Sequence, residues 1–211
     1  MADLAKLYDS VVEGNAKAAK IITQEALAEG ADPELLVNEY MIKAMDEVGR
    51  RFEENEYFVP ELLIAARAMK GCLELIKPLL AAKGTEPIGR VLIGTVKGDL
   101  HDIGKNLVSA MLEGGGFEVT DLGVDVSPEK FIQAIKEKNI NIVALSALLT
   151  TTMPAMKTTI DAFKASGDRA KVKIMIGGAP VTQQYSDEIG ADGYSDNASS
   201  AVSLARKLAA K

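Results

Sequence analysis

Val91-Leu92-Ile93-Gly94-Thr95-Val96-Lys97-Gly98-Asp99-Leu100-His101-Asp102-Ile103-Gly104-Lys105-Asn106 is the stretch on which the reading of this chain turns. Its first six residues form a continuous, mostly apolar run, the pattern of a strand buried on both faces. The run breaks at Lys97-Gly98, and a helical pattern has set in by Asn106. A buried strand feeding a loop and then a helix starts a parallel α/β sheet, in which ligands bind at the carboxyl ends of the strands. His101, the only histidine in the chain, stands in that loop between Asp99 and Asp102 and ahead of Gly104.

Downstream the same alternation repeats. Short apolar runs at 117–122, 140–145 and 172–176, and a weak fifth at Gly193-Tyr194, alternate with helical patterns at 106–112, 128–138, 154–164, 181–189 and 198–209. Ser127-Pro128-Glu129 reads as a cap, a first-turn proline and an acid at the positive end of a helix. Gly114-Gly115-Gly116 and Ser166-Gly167 supply the turns after two helices. Right-handed crossovers then predict a doubly wound, flavodoxin- or Rossmann-like domain with a five-stranded parallel sheet.

Upstream the period is helical only. Met41, Met45, Val48 and Phe52 recur every three or four residues, and Asp32-Pro33-Glu34 opens their helix with a capping aspartate and a first-turn proline. A second helix runs from Pro60 with Leu62, Ala66, Met69, Leu73, Ile76 and Leu80 on one stripe. Two shorter patterns, at 4–12 and 16–28, are separated by Gly14-Asn15. Four helices with short turns predict a small antiparallel bundle. The breaker-rich Ala82-Lys83-Gly84-Thr85-Glu86-Pro87-Ile88-Gly89 is the linker, so the fold class is α/β, with a helical-bundle domain at 1–86 and a sheet domain at 87–211.

Composition removes several function classes. A net charge of −6 offers no long-range attraction to nucleic acid or an anionic membrane, and aromatic residues at 5%, without tryptophan, make no base-stacking platform. No apolar run reaches transmembrane length, and Met1-Ala2-Asp3-Leu4-Ala5-Lys6 lacks a signal-peptide pattern. A single cysteine, Cys72, forms no internal disulfide and fits a reducing, cytoplasmic location. Met45, Met69 and Cys72 read as packing residues.

The loops after the strands line one crevice. The first holds Asp99, His101 and Gly104, the third Ser146-Ala147-Leu148-Leu149-Thr150-Thr151-Thr152, the fourth Ile176-Gly177-Gly178-Ala179-Pro180. Each has a bland explanation: a solvated histidine, hydroxyls that cap the next helix, glycines for a tight turn. Together they suit a metal ligand whose other ring nitrogen is held by a carboxylate, continued by a hydroxyl. One imidazole does not build a zinc site, which needs three or four protein ligands, so the metal has to arrive inside a macrocycle. Gly94, Gly98 and Gly104 are wrongly spaced for a dinucleotide-binding G-x-G-x-x-G.

Asp99-Leu100-His101-Asp102-Ile103-Gly104, then Ser146-Ala147-Leu148, then Gly177-Gly178 resembles the D-x-H-x-x-G, S-x-L and G-G signature of cobalamin-binding domains. With the helical bundle ahead of it, nearly the whole chain is similar to the cobalamin-binding region of methionine synthase and to the free-standing corrinoid proteins of methylamine, methanol and methoxyaromatic methyltransferase systems. The resemblance implies cobalamin or a related corrinoid, bound with its own base displaced and His101 as the lower cobalt ligand. It makes Asp99 and Thr152 a relay, with Thr152 where the family has serine. It assigns cofactor contacts to Asp99, His101, Asp102, Ile103, Gly104, Ser146, Leu148, Thr150, Thr152, Gly177 and Gly178, and makes the bundle a cap through Phe52 and Val59, with valine where leucine is usual.

The same resemblance implies a methyl carrier that cycles between cob(I)alamin and methylcobalamin. Its partners would be a substrate:corrinoid methyltransferase, a second methyltransferase using tetrahydrofolate or coenzyme M, and a reductive activase, with O-demethylation of methoxyaromatics as the favoured source. No substrate pocket of its own is legible, so the chain is expected to be a non-catalytic component, hinged near Gly84–Gly89. The alternatives are a cobalamin-dependent sensor, which lacks an output segment here, the small subunit of a cobalamin mutase, and a flavodoxin-like module without corrin.

Overall fold

The computed structural model describes residues 2–210; Met1 and Lys211, which end the two expected domains, lie outside the described residues. The chain divides into two compact units. One runs to Pro87 and takes in Glu113–Gly116, and the other comprises Ile88–Leu112 and the chain from Phe117 onward.

In the helical unit, α1 (Leu4–Val12) and α2 (Ala16–Ala28) each begin at a side-chain cap. Asp3 accepts from the Lys6 N–H at 3.2 Å, and Asn15 accepts from the Ala18 N–H at 3.1 Å. The stretch predicted to start at Asp32-Pro33 is continuous but not uniform: α3 (Pro33–Leu35) passes through a π-helical segment, Leu36–Met41, into α4 (Ile42–Glu53). The wider i→i+5 turn absorbs extra residues in the hydrophobic spacing, so Leu36, Val37, Met41, Met45 and Val48 all stay buried. Helix α5 (Val59–Lys83) starts where Glu61 accepts the Phe58 N–H at 2.9 Å and stops at Gly84, whose left-handed φ of 73° suits a residue without Cβ. The helices pack pairwise, α1 on α2 and α4, and α5 on α2 and α4. Met45, Met69 and Cys72 are buried in this core, as their spacing predicts.

The sheet unit has strands β1 (Arg90–Thr95), β2 (Glu118–Asp121), β3 (Ile142–Ser146), β4 (Lys173–Gly177) and β5 (Gly193–Tyr194). Its helices are α6 (Ile103–Gly114), α7 (Pro128–Glu137), α8 (Pro154–Ala165), α9 (Gln183–Ile189) and α10 (Ala198–Ala209). The strands are all parallel in the order β2-β1-β3-β4-β5, the flavodoxin-type order, with its switch point between β1 and β3. Leu92, Val143, Leu145, Ile174 and Ile176 pack with Phe131, Ile160 and Phe163 in one core. The register places Thr95 opposite Ser146 and Ser146 opposite Gly177, so the ends of three strands lie in one row.

Two local expectations are corrected. Helix α6 begins at Ile103, three residues before the helical pattern, because the Asn106 N–H already bonds the Asp102 carbonyl at 2.7 Å. Ser127 sits at the α7 cap position, but its hydroxyl makes no capping bond to a first-turn N–H, and its proximity lowers the Glu129 carboxyl instead. Among the described residues, no helix is long and apolar enough to cross a membrane.

Candidate functional site

The site grows from the turn that follows β1. Gly98 takes a φ of 84°, and the Asp99 N–H closes back on the Val96 carbonyl at 3.1 Å. This turns the Asp99 side chain inward, where it is fully buried. Thr95, also buried, donates its hydroxyl to the His101 carbonyl at 2.8 Å and ties the far end of the loop to the strand.

Both Asp99 oxygens are engaged. Oδ1 accepts the His101 N–H at 3.0 Å and stands 2.7 Å from His101 Nδ1; Oδ2 accepts the Leu148 N–H at 2.8 Å and the Thr152 hydroxyl at 2.6 Å. Burial opposes the charge, but the hydrogen bonds from Thr152, Leu148 and His101 prevail and hold this carboxyl well below the usual carboxylate range. An ionised carboxylate only accepts, so Nδ1 carries the hydrogen and Nε2 keeps its lone pair. The His101 side chain is 49% exposed. The loops after β1 and β3 thus build a chain of contacts, Thr152 to Asp99 to His101, on residues 53 positions apart at its outer link.

Around the imidazole the surface is apolar. Leu100 is 73% and Ile103 82% exposed, and Leu148 and Leu149 are also exposed. Large apolar side chains left open beside an imidazole nitrogen that keeps its lone pair mark a binding surface. Asp102 and Thr150 are exposed in the same two loops and Gly104 in the first turn of α6, and Asp102 accepts from the Asn106 amide at 3.1 Å. Ser146 and Gly177 are paired at the strand ends. At Gly178, with φ of 133°, a Cβ would stand 1.8 Å from the Ala147 carbonyl oxygen, so any side chain there is shut out and the backbone comes close to β3. Thr152 caps no helix: Met153 holds the cap position of α8 without a side-chain bond, and the Thr152 hydroxyl goes to Asp99. Phe52 and Val59 belong to the helical unit, Phe52 half-buried and Val59 exposed.

The inventory of strand-end loops leaves out the one after β2, and there the structure adds residues. Asp125, at a φ of 51°, accepts the Gly98 N–H at 2.8 Å and pairs with Lys97 at 2.9 Å. Buried Lys105 pairs with Asp121 and donates to the Asn106 side chain at 2.6 Å. The signal for Asp125 is its place in the loop that follows the second strand, directly after Gly123-Val124. Lys105 carries no sequence signal, since a lysine near a helix start reads as solvated.

Among the described residues no group of three or more histidine, cysteine, aspartate or glutamate side chains is placed to hold a bare metal ion. One half-exposed imidazole fixed by a buried carboxylate, an apolar collar and a backbone that excludes Cβ at Gly178 fit a metal carried in a large, flat, apolar ring.

Comparison with known proteins gives the same reading. Models described as a B12 binding domain match residues 4–77 and 89–203. Trimethylamine corrinoid protein 1 of Methanosarcina acetivorans is 42% identical over 207 residues, 97% of this chain and 96% of that protein. Among solved structures, a cobalamin-binding protein from Desulfitobacterium hafniense DCB-2 is 33% identical with a TM-score of 0.82, over 99% of both chains. The methanol:cobalamin methyltransferase complex of Methanosarcina barkeri is 30% identical with a TM-score of 0.86, over 98% of this chain and 79% of that one. With both units matched and nearly the full length shared, the chain belongs to the corrinoid proteins of the B12-binding family.

Proposed function

We propose that the protein carries a methyl group between two methyltransferases, on a corrinoid whose lower cobalt ligand is His101. The cofactor is cobalamin or a related corrinoid. The observation that carries the assignment is the 2.7 Å contact of His101 Nδ1 with buried Asp99, which leaves Nε2 as the ligating nitrogen on a half-exposed ring. When bound, the corrinoid supplies a cobalt centre able to take up and release a methyl group.

The residues of the chain do the rest. His101 offers Nε2 from a backbone held on either side by Asp99 and Thr95. Asp99 fixes the tautomer and the orientation of the imidazole, and Thr152 helps to orient Asp99. Leu100, Ile103, Leu148 and Leu149 exclude water beside the ring. Ser146, Gly177 and Gly178 leave the strand ends open for the displaced tail of the cofactor, with Asp102, Gly104 and Thr150 at its rim. Phe52 and Val59 are assigned to shielding the reactive face.

The favoured donor shifts. Sequence alone leaned to methoxyaromatics, but the 42%-identical relative is a trimethylamine corrinoid protein, which supports a methylamine as the methyl source. A substrate-specific methyltransferase, a second one for tetrahydrofolate or coenzyme M, and a reductive activase complete the proposed system. The single cysteine, buried and unbridged Cys72, supports a reducing, cytoplasmic setting for this chain. Reconstitution with hydroxocobalamin tests the ligand: wild type should give the visible spectrum of a nitrogen-ligated, base-displaced corrinoid, and His101→Ala should give a different one. Identical spectra and affinities for the two would refute it. Methyl transfer from trimethylamine, a methoxyaromatic or methanol, each with its own methyltransferase, then separates the donors.

A further inference from the structure

The loop between β2 and α7 is stitched to the segment ahead of His101 at Leu122, Gly123, Asp125 and Val126. The Thr95 N–H bonds the Gly123 carbonyl at 3.0 Å, the Val126 N–H returns to the Thr95 carbonyl at 3.0 Å, and Val96 bridges Val126 in parallel. At the centre of this seam stands Asp125. Its N–H donates to the Asp99 carbonyl at 2.9 Å, its Oδ1 accepts the Gly98 N–H at 2.8 Å, and its carboxylate pairs with Lys97 at 2.9 Å. One residue thereby engages 97, 98 and 99 in succession, immediately before the histidine loop.

Asp125 does this from a left-handed backbone, φ 51°, a conformation that favours glycine. A turn alone would be served as well by a glycine at this position, without strain. The carboxylate is the part that the turn does not need, and it is the part that reaches Gly98. The Gly98 N–H and then Lys97 hold this carboxyl below the usual carboxylate range, so it is ionised as an acceptor.

We propose that Asp125 is a positioning residue for His101: through its carboxylate on Gly98 and its N–H on Asp99, it locks the turn that aims the Asp99–His101 couple at the cobalt. The proposal rests on His101 being the axial ligand. Lys97, half-exposed with its partner, contributes little, because surface ion pairs are weak.

The test uses the full chain with hydroxocobalamin as the probe, and four variants: D125N, D125G, D125A and K97M. Three quantities are read, namely the melting temperature without cofactor, the cobalamin dissociation constant, and the His-ligated fraction from the visible spectrum. D125G should weaken binding by about tenfold and lower the His-ligated fraction, the size expected for one charge-assisted hydrogen bond, while its melting temperature stays near wild type. D125A should lose at least as much; D125G guards against a simple failure to fold, since glycine suits the backbone there. D125N keeps an acceptor for Gly98 and should stay within about threefold of wild type, as should K97M. Wild-type binding and spectrum in D125G would overturn the proposal, and so would a K97M loss equal to that of D125G. A wild-type spectrum indifferent to His101→Ala overturns the ligand assignment and this proposal together, whereas a normal D125G beside a sensitive His101→Ala overturns this proposal alone.

Discussion

Among the described residues Thr152 is the one side chain that donates to Asp99 Oδ2, and with the Leu148 and His101 donors it orients the carboxylate. Thr152→Val keeps the shape but removes the donor, leaving Oδ2 with the Leu148 N–H alone. The expected loss is about 1.5–3 kcal/mol in apo stability, the range for hydrogen bonds to charged groups, together with weaker cobalamin binding. Thr152→Ser should restore both, because the hydroxyl is what matters and the methyl only adds packing. Urea unfolding and cobalamin titration of the two variants check this. Asp99 and His101 were legible as residue types at short spacing, and a hydroxyl of the loop after β3 as their continuation, while Thr152 in particular came from the resemblance to cobalamin-binding domains. Their distances were not, because a carboxylate and a hydroxyl 53 positions apart meet only through the pairing of β1 with β3.

At the scale of elements, the glycine inside β1 links a strand to a helix. A Cβ at Gly94 would stand 2.8 Å from Phe131 Cζ and 3.2 Å from Val126, so α7 can approach the sheet only because that position is bare. Gly94→Ala is therefore expected to cost about 1–3 kcal/mol, the usual penalty of overpacking a tight core. Phe131 is wholly buried and has no room to yield. The shift should appear in the urea midpoint with an unchanged slope. Apolar runs and breakers located all five strands to within two residues at each end; double burial writes itself as continuous hydrophobicity in β1, β3 and β4, whereas the edge strand β2, exposed at both ends, showed through the apolar Phe117, Val119 and Leu122 around it. The π-helical segment at Leu36–Met41 was invisible for a related reason: its residues are apolar enough for either ladder, and only packing chooses which turn widens.

At the scale of the whole molecule, the two units share one response to acid. In the helical unit Glu47 receives Arg50 at 2.7 and 2.8 Å and Arg51 at 2.8 Å, which lower its carboxyl to about 2. In the sheet unit Asp99 is held low as described. A carboxyl depressed in the folded state contributes stability that is complete above its unfolded value and is lost as the pH falls through the folded one. For Glu47 that window runs from about 4.5 down to about 2. Melting temperature should therefore drop across this interval, and Glu47→Gln should be less stable at neutral pH but show a shallower acid slope. A parallel slope in the variant would contradict the assignment.

By itself the sequence determined the class of each half, the alternation that makes a parallel sheet, the strand-end loop bearing the sole histidine, and the signature that marks a corrinoid protein. These are properties of local pattern: periodicity, breakers, and residue types at short spacing. Only the tertiary structure decided that Thr95, Ser146 and Gly177 end in one row, that the Thr152 hydroxyl stands 2.6 Å from Asp99 and caps no helix, and that Asp125 grips the turn before His101. Those facts depend on strand order and register, which bring together groups tens of residues apart and which no local pattern encodes.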